Sequence, residues 1–220
     1  EGARISCGMR GTRGAIEKVE LNGDVHLDVI GNTEPMGLCG SGLIDAVAEL
    51  LNQGLLTPEG QLLAPEECPE GTPEPLRRRL RENERGERLF VLADREEVAR
   101  GDPLVLTQRD IREVQLGAGA IRAGIAILLR QAGLEPADLK TVLVAGGFGN
   151  FVRRSSAQRI GLLPLGIDHR RIRYIGNASL AGARLALLCT EARKEAEARA
   201  RKVKHLDLSL APDFQEAFAE

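Results

Sequence analysis

Hydrophobic residues alternate with polar ones over residues 14–30. Val19 and Leu21, then Val25, Leu27 and Val29, keep the two-residue period of half-buried strands. Asn22-Gly23 between the two runs has the residue types of a type I′ turn, so the segment reads as a β-hairpin. The period then changes. After a glycine-rich turn over residues 35–42, Leu43, Ile44, Val47, Leu50 and Leu51 recur at helical spacing, with Ser41 as the expected N-cap and Gly54 just past the end. A second helical pattern, Ile111, Val114, Ala118, Ile121, Ile125 and Leu128, steps by three and four until Gly133. Ahead of it, Thr107 and Asp110 resemble a capping box with Asp in place of Glu.

Residues 141–145, Thr-Val-Leu-Val-Ala, form an apolar run of the kind expected for a buried parallel strand, ending in Gly146-Gly147-Phe148-Gly149-Asn150. Ser155 or Ser156 is expected to cap a short helix. A strand over 171–175 runs into the small-residue stretch 176–183, and one long helix is predicted from there to about Lys204. Its second half alternates charges, as a solvated face does. The tail has a strand-like piece at Leu206 and Leu208 and a terminal helical turn over 212–218.

Residues 57–104 differ in character. Six of the chain's 10 prolines fall there: Pro58, Pro65, Pro69, Pro73, Pro75 and Pro103. Only a short basic helix over 76–81 and a strand over 88–93 are predicted, so this stretch reads as an inserted small subdomain. The chain then divides into a main lobe (1–56 and 105–204), the insertion (57–104) and a tail (205–220). Helix, strand, glycine loop, helix, strand and small-residue helix in that order is an α/β pattern.

Composition narrows the function classes. A 43% hydrophobic and 28% charged chain has the balance of a globular domain rather than a disordered or fibrous one. The net charge of −2 leaves no basic footprint for nucleic acid, and aromatic residues, at 3%, offer no stacking platforms. Apolar runs fall far short of the roughly 20 residues of a membrane span. Cys7, Cys39, Cys68 and Cys189 are too scattered to write a local metal-ligand pair, which favours free thiols and a cytoplasmic location. The start, Glu1-Gly2-Ala3-Arg4, has no initiator Met and reads as a loop end, so a fragment of a longer protein is expected.

Three stretches carry candidate chemistry. Adjacent glycines after an interior strand put bare backbone at the carboxyl edge of a sheet, where Gly146, Gly147, Phe148 and Gly149 can admit a flat adenine or ribose. A plain tight turn is the competing reading. Gly37-Leu38-Cys39-Gly40-Ser41-Gly42 precedes a helix, whose free N–H groups attract anions; Gly40, Ser41 and Gly42 are candidates for that role, against a turn with an N-cap. The small residues around Gly182 suit close helix crossing at a hinge, or simple packing. Asp45 and Asp110 lie near helix starts, where dipole and capping account for them. His26, His169 and His205 read as surface residues.

Taken together, these pieces resemble the second lobe of the actin, heat-shock chaperone and sugar-kinase ATPase superfamily, truncated at its N-terminal strands. More closely, residues 1–10, 37–45, 107–116, 145–151 and 159–164, with the tail Leu206-Asp207-Leu208-Ser209 and Pro212-Asp213-Phe214, look like the C-terminal ATPase region of the reductive activators of corrinoid proteins. That resemblance implies a ribonuclease H-like fold and ATP or ADP, with Mg²⁺, held between two lobes. It implies an N-terminal ferredoxin-type [2Fe–2S] domain outside this sequence. It also implies ATP-driven return of a Co(II) corrinoid protein to Co(I). The family's Asp-x-Gly-Thr phosphate segments are absent here, so no Mg²⁺ ligand or catalytic residue is assigned, and this piece alone is not expected to hydrolyse ATP. A dimerisation or partner-docking module, or a lobe of another actin-like kinase, remain the alternatives.

Overall fold

The computed structural model describes residues 4–98, 101–146 and 151–219. The chain forms two compact units. The first comprises Glu1–Ile121 with Phe151–Leu165, and the second Arg122–Asn150 with Gly166–Glu220.

In the first unit, β1 (Ala15–Asn22) and β2 (Asp24–Val29) form the predicted antiparallel hairpin. Its reversal differs from the expected type I′ turn. Only Gly23 takes a positive φ (+79°), and Leu21 already pairs with Val25. One glycine suffices to reverse the chain, so Asn22 avoids the left-handed conformation that β-carbon sterics disfavour. A two-residue strand, β3 (Gly37–Leu38), pairs parallel to β1, giving the order β2-β1-β3. Gly8 bridges Leu38 from outside.

Helix α1 (Gly40–Asn52) follows at once and buries Val47 and Leu50 against β1, while Ile44 packs on Val152 and Ala157. Its end follows the sequence closely. Gly54, at φ +67°, donates to Leu51 O, and Leu55 donates to Leu50 O, while Leu50 and Leu55 are both fully buried. That is a Schellman cap with its apolar contact.

Residues 57–104 add α2 (Glu74–Arg78), β4 (Leu80–Glu82), β5 (Arg88–Ala93) and β6 (Leu104–Thr107), the strands forming an antiparallel sheet. The helix expected over 76–81 stops early because Leu80 turns inward and pairs with Phe90. Leu62, Leu76, Leu80, Phe90 and Leu92 share one apolar core with Ile16, Val19, Val47, Leu50 and Ile111. Arg79 ties this region to the hairpin through Asp24 and caps its own loop through Glu97. The long helix α3 (Gln108–Ala132) starts with the predicted box: Thr107 N–H donates to Asp110 Oδ2 at 2.9 Å, and Asp110 N–H to Thr107 Oγ1 at 3.2 Å. Gln108 and Gln115 of α3 donate to Gly60 O and Glu59 O, pinning the proline-rich loop.

In the second unit, β7 (Val142–Val144) pairs parallel with β8 (Ile172–Tyr174). The parallel pairing is as expected; burial is not, since Leu143 is 58% exposed. Two strands bury far less than the interior strand of a wider sheet. The single helix expected to about Lys204 is two, α5 (Ala178–Leu188) and α6 (Thr190–Ala200). Cys189 between them is extended, and its sulfur accepts from Ala192 N–H at the start of α6. Neither helix buries a residue, so no shared core holds them on one axis. The strand-like piece at 206–208 is instead a loop entering a 3₁₀ turn at Leu208–Leu210. Leu206, Leu208 and α7 (Phe214–Ala219) pack on Ala123 and Ile127 of α3, and Arg130 pairs with Asp213.

A β-carbon on Gly42 would lie 2.4 Å from Ile16 O. Gly42→Ala in the full-length protein is therefore expected to lose about 1–3 kcal/mol in chemical denaturation. Gly117→Ala, in an exposed turn of α3 with nothing within 4 Å, is expected to gain about 0.5–1 kcal/mol. Equal midpoints for the two variants would show that α1 does not depend on this approach.

Candidate functional site

The glycine-rich turn is built by strand pairing. Leu38 N–H donates to Cys7 O and Cys39 N–H to Ile16 O, so the chain remains sheet-like up to Cys39 (ψ 173°). Helix α1 starts as soon as it leaves the sheet, which makes Cys39 the N-cap in place of Ser41. Ser41 lies inside the helix, 4% exposed, and its hydroxyl meets the Cys39 thiol at 3.2 Å. No side chain caps α1. Gly37 is required by packing as much as by any ligand, since a β-carbon there would stand 2.8 Å from Cys7 O. Of the candidates Gly40, Ser41 and Gly42, the last two are buried and Gly40 is half-buried. What this turn offers chemically is main-chain N–H at an uncapped helix start.

Asp45 requires a different account from the helix dipole. It sits beyond the first turn of α1 and is 1% exposed. Its partner is Arg153, whose Nε lies 2.9 Å from Asp45 Oδ1. Arg153 immediately precedes α4 (Arg154–Arg159) and also donates to Val19 O at 2.6 Å and Glu20 Oε1 at 3.1 Å. Ser155 and Ser156, the expected caps, both lie inside α4; Ser156 is buried where the helix meets α1. Sequence reasoning missed Arg153, because its partners lie more than a hundred positions away. The nearby run of consecutive arginines was the available signal.

Asp110 has more partners than capping requires. Ser6 N–H and Oγ–H both donate to its Oδ1, at 2.8 and 3.1 Å, so the residue that starts α3 also holds the N-terminal segment. Next to it, Cys7 donates to Val105 O. Burial, and then the Asp110 carboxylate, push the Cys7 thiol up to about 12.

Gly146 ends β7 in the second unit. Its φ is +117°, its N–H donates to Gly176 O at 2.7 Å, and among the described residues nothing stands within 4 Å of where a β-carbon would be. A backbone position without a β-carbon permits the close approach that a flat ligand requires. Gly147, Phe148 and Gly149 lie outside the described residues. Among the described residues, no three His, Cys, Asp or Glu side chains are grouped to hold a metal ion, and no helix is long and apolar enough to cross a membrane. All four cysteines are free, and His26, His169 and His205 are exposed.

Comparison with known proteins gives a consistent set of relatives. The family model described as "C-terminal domain of RACo the ASKHA domain" matches residues 1–220. The corrinoid activation enzyme RamQ of Eubacterium limosum is 38% identical over 99% of this chain and 36% of its own length. The [Co(II) methylated amine-specific corrinoid protein] reductase of Methanosarcina barkeri is 26% identical over 70% of the chain and 23% of its own length. A solved structure, a reductive activator for corrinoid,iron-sulfur protein, superposes with a TM-score of 0.84 at 36% identity, covering all of this chain and 34% of that one. The chain thus spans about a third of the length of RamQ and of the solved reductive activator.

The raised Cys7 value fixes a direction with pH. The folded state holds that proton more tightly than the unfolded chain does. This contribution is complete below the unfolded thiol pKa of about 8.5 and is lost as pH rises towards 12. Peptide mapping after alkylation at pH 8 is expected to find Cys7 unmodified in native full-length protein and modified in denaturant. Native labelling at the rate of a free thiol would overturn the assignment.

Proposed function

The chain belongs to the family of the RACo C-terminal ASKHA domain, an actin-like ATPase fold, and on that premise we propose that it is the adenosine-binding half of an ATP-dependent reductive activator. The activator returns inactive Co(II) corrinoid proteins to Co(I). The observation that carries this reading is the 38% identity to a corrinoid activation enzyme over 99% of the chain.

In this reading, Gly146, Gly147, Phe148 and Gly149 line the adenosine side, and the open backbone at Gly146 supports that use. The first turn of α1, Gly40, Ser41 and Gly42, presents N–H groups to a polar edge of the ligand. This sequence has no Asp-x-Gly-Thr segment, and in this reading Mg²⁺ and the phosphates are held by such segments elsewhere in the protein. A [2Fe–2S] cluster held by another domain would supply the one electron that takes Co(II) to Co(I). Nucleotide contributes by binding two conformations unequally, and it can shift them only by that difference. Residues 57–104 are the lobe's variable insertion and 205–220 its tail. Free thiols throughout fit a cytoplasmic protein.

A second reading, a docking or dimerisation surface, is favoured by α5, where Leu180, Leu185, Leu187 and Leu188 are each at least 60% exposed. Concentration-dependent size exclusion of the full-length protein tests it; a monomer at all concentrations would exclude a homodimer.

For the main reading, full-length protein is mixed anaerobically with its Co(II) corrinoid protein and a reductant, and Co(I) is followed by absorbance. ATP is expected to be required, and Gly147→Val is expected to weaken ADP binding in calorimetry by about tenfold or more. Equal Co(I) yield without ATP would remove the ATPase role. Unchanged ADP affinity in the variant would remove the glycine loop from the site.

A further inference from the structure

We propose that Arg201, Lys202 and Lys204 form an electrostatic docking patch for an acidic protein surface, that of the corrinoid protein. The proposal rests on the activator reading above. Charge is segregated along this part of the second unit. Both signs are interspersed over residues 191–197, but residues 198–206 hold Arg199, Arg201, Lys202 and Lys204 and no carboxylate, in a chain whose net charge is −2. Arg199 is paired with Glu195 at 2.6 Å. Among the described residues, no ion pair joins Arg201, Lys202 or Lys204 to a carboxylate, and all three residues are exposed.

Helix stabilisation does not account for the run. A helix dipole acts on cations within its last turn, and α6 ends at Ala200 with Arg199 already in that place. Lys202 and Lys204 lie beyond it. Crowded like charges repel one another, so the run is unfavourable until a counter-charge meets it. The backbone beneath these side chains is held at both ends. Lys202 N–H and Val203 N–H both donate to Arg199 O, at 2.9 and 3.2 Å, and Leu206 packs on the cluster of Ala123 and Ile127. Val203, 74% exposed, stands among the cations, an apolar spot within a charged rim, as protein interfaces have. Cations strung along one stretch of chain suit a broad acidic surface, whose encounter they steer.

The test follows the rate of Co(I) formation by full-length protein against the concentration of its Co(II) corrinoid protein, with ATP and reductant saturating, at low and high salt. Arg201→Glu/Lys202→Glu/Lys204→Glu is expected to raise the half-saturating concentration about tenfold at low salt, to leave the rate at saturation unchanged, and to flatten the salt dependence. Arg10→Glu/Arg13→Glu/Arg85→Glu changes the net charge equally from exposed positions in the first unit and is expected to shift it less than about twofold. Lys204→Glu alone, outside any helix, is expected to shift it about two- to threefold and keeps the test readable if the triple variant folds poorly. Half-saturation that is unchanged in the patch variants, or shifted as far by the first-unit variant, would overturn the proposal. Absence of ATP-dependent Co(I) formation in the unmodified protein would instead overturn the activator reading itself, and this role with it.

Discussion

Helix α1 can rest on β1 only because residue 42 has no side chain. Ile16 O accepts from Cys39 N–H at 3.1 Å and also occupies the space where a β-carbon of residue 42 would go. That one carbonyl ends the parallel pairing of β3, starts the helix at Gly40, and sets its distance from the sheet. The rest of the first unit follows. Val47 and Leu50 reach the core, Asp45 turns to Arg153, and the Schellman cap at Gly54 sends Leu55 back into the same core.

The segments that mark the family serve this arrangement more than they serve chemistry directly. Ser6 and Cys7 bond to Asp110 and Val105, and Gly8 bridges Leu38, so this segment meets the start of α3 beside β3. Gln108 and Gln115 fasten the loop at Glu59 and Gly60. Gly37 and Gly42 are fixed by backbone approach. A glycine-rich motif is thus compatible with a ligand without being explained by one. Gly146 differs in that, among the described residues, nothing stands within 4 Å of where its β-carbon would be.

The second unit has the opposite character. Leu143 on β7 and the leucines of α5 stand in solvent, and α6 is charged throughout. Such helices gain little from packing within the chain, and a break at Cys189 costs them little. The relatives are about three times as long as this chain.

Local chemistry determined what is local. Alternation at Val19–Leu27, the 3-4 spacing of α1, the Thr107–Asp110 box and the Gly54 cap are each decided within a few residues, and each formed as the sequence indicates. The α3 segment formed as a helix, but its second half buries Ala123 and Ile127 while Ile121 and Leu128 of the expected stripe are exposed. What the chain order could not decide were the contacts closed over long distances. Ile16 O moved the start of α1 from Ser41 to Cys39, and Phe90 converted the end of a predicted helix into β4. Arg153 turned Asp45 from a dipole residue into a buried ion pair. In each case a partner remote in sequence supplied a hydrogen bond, an apolar surface or a charge that outweighs local preference, and no pattern along the chain records where that partner will be.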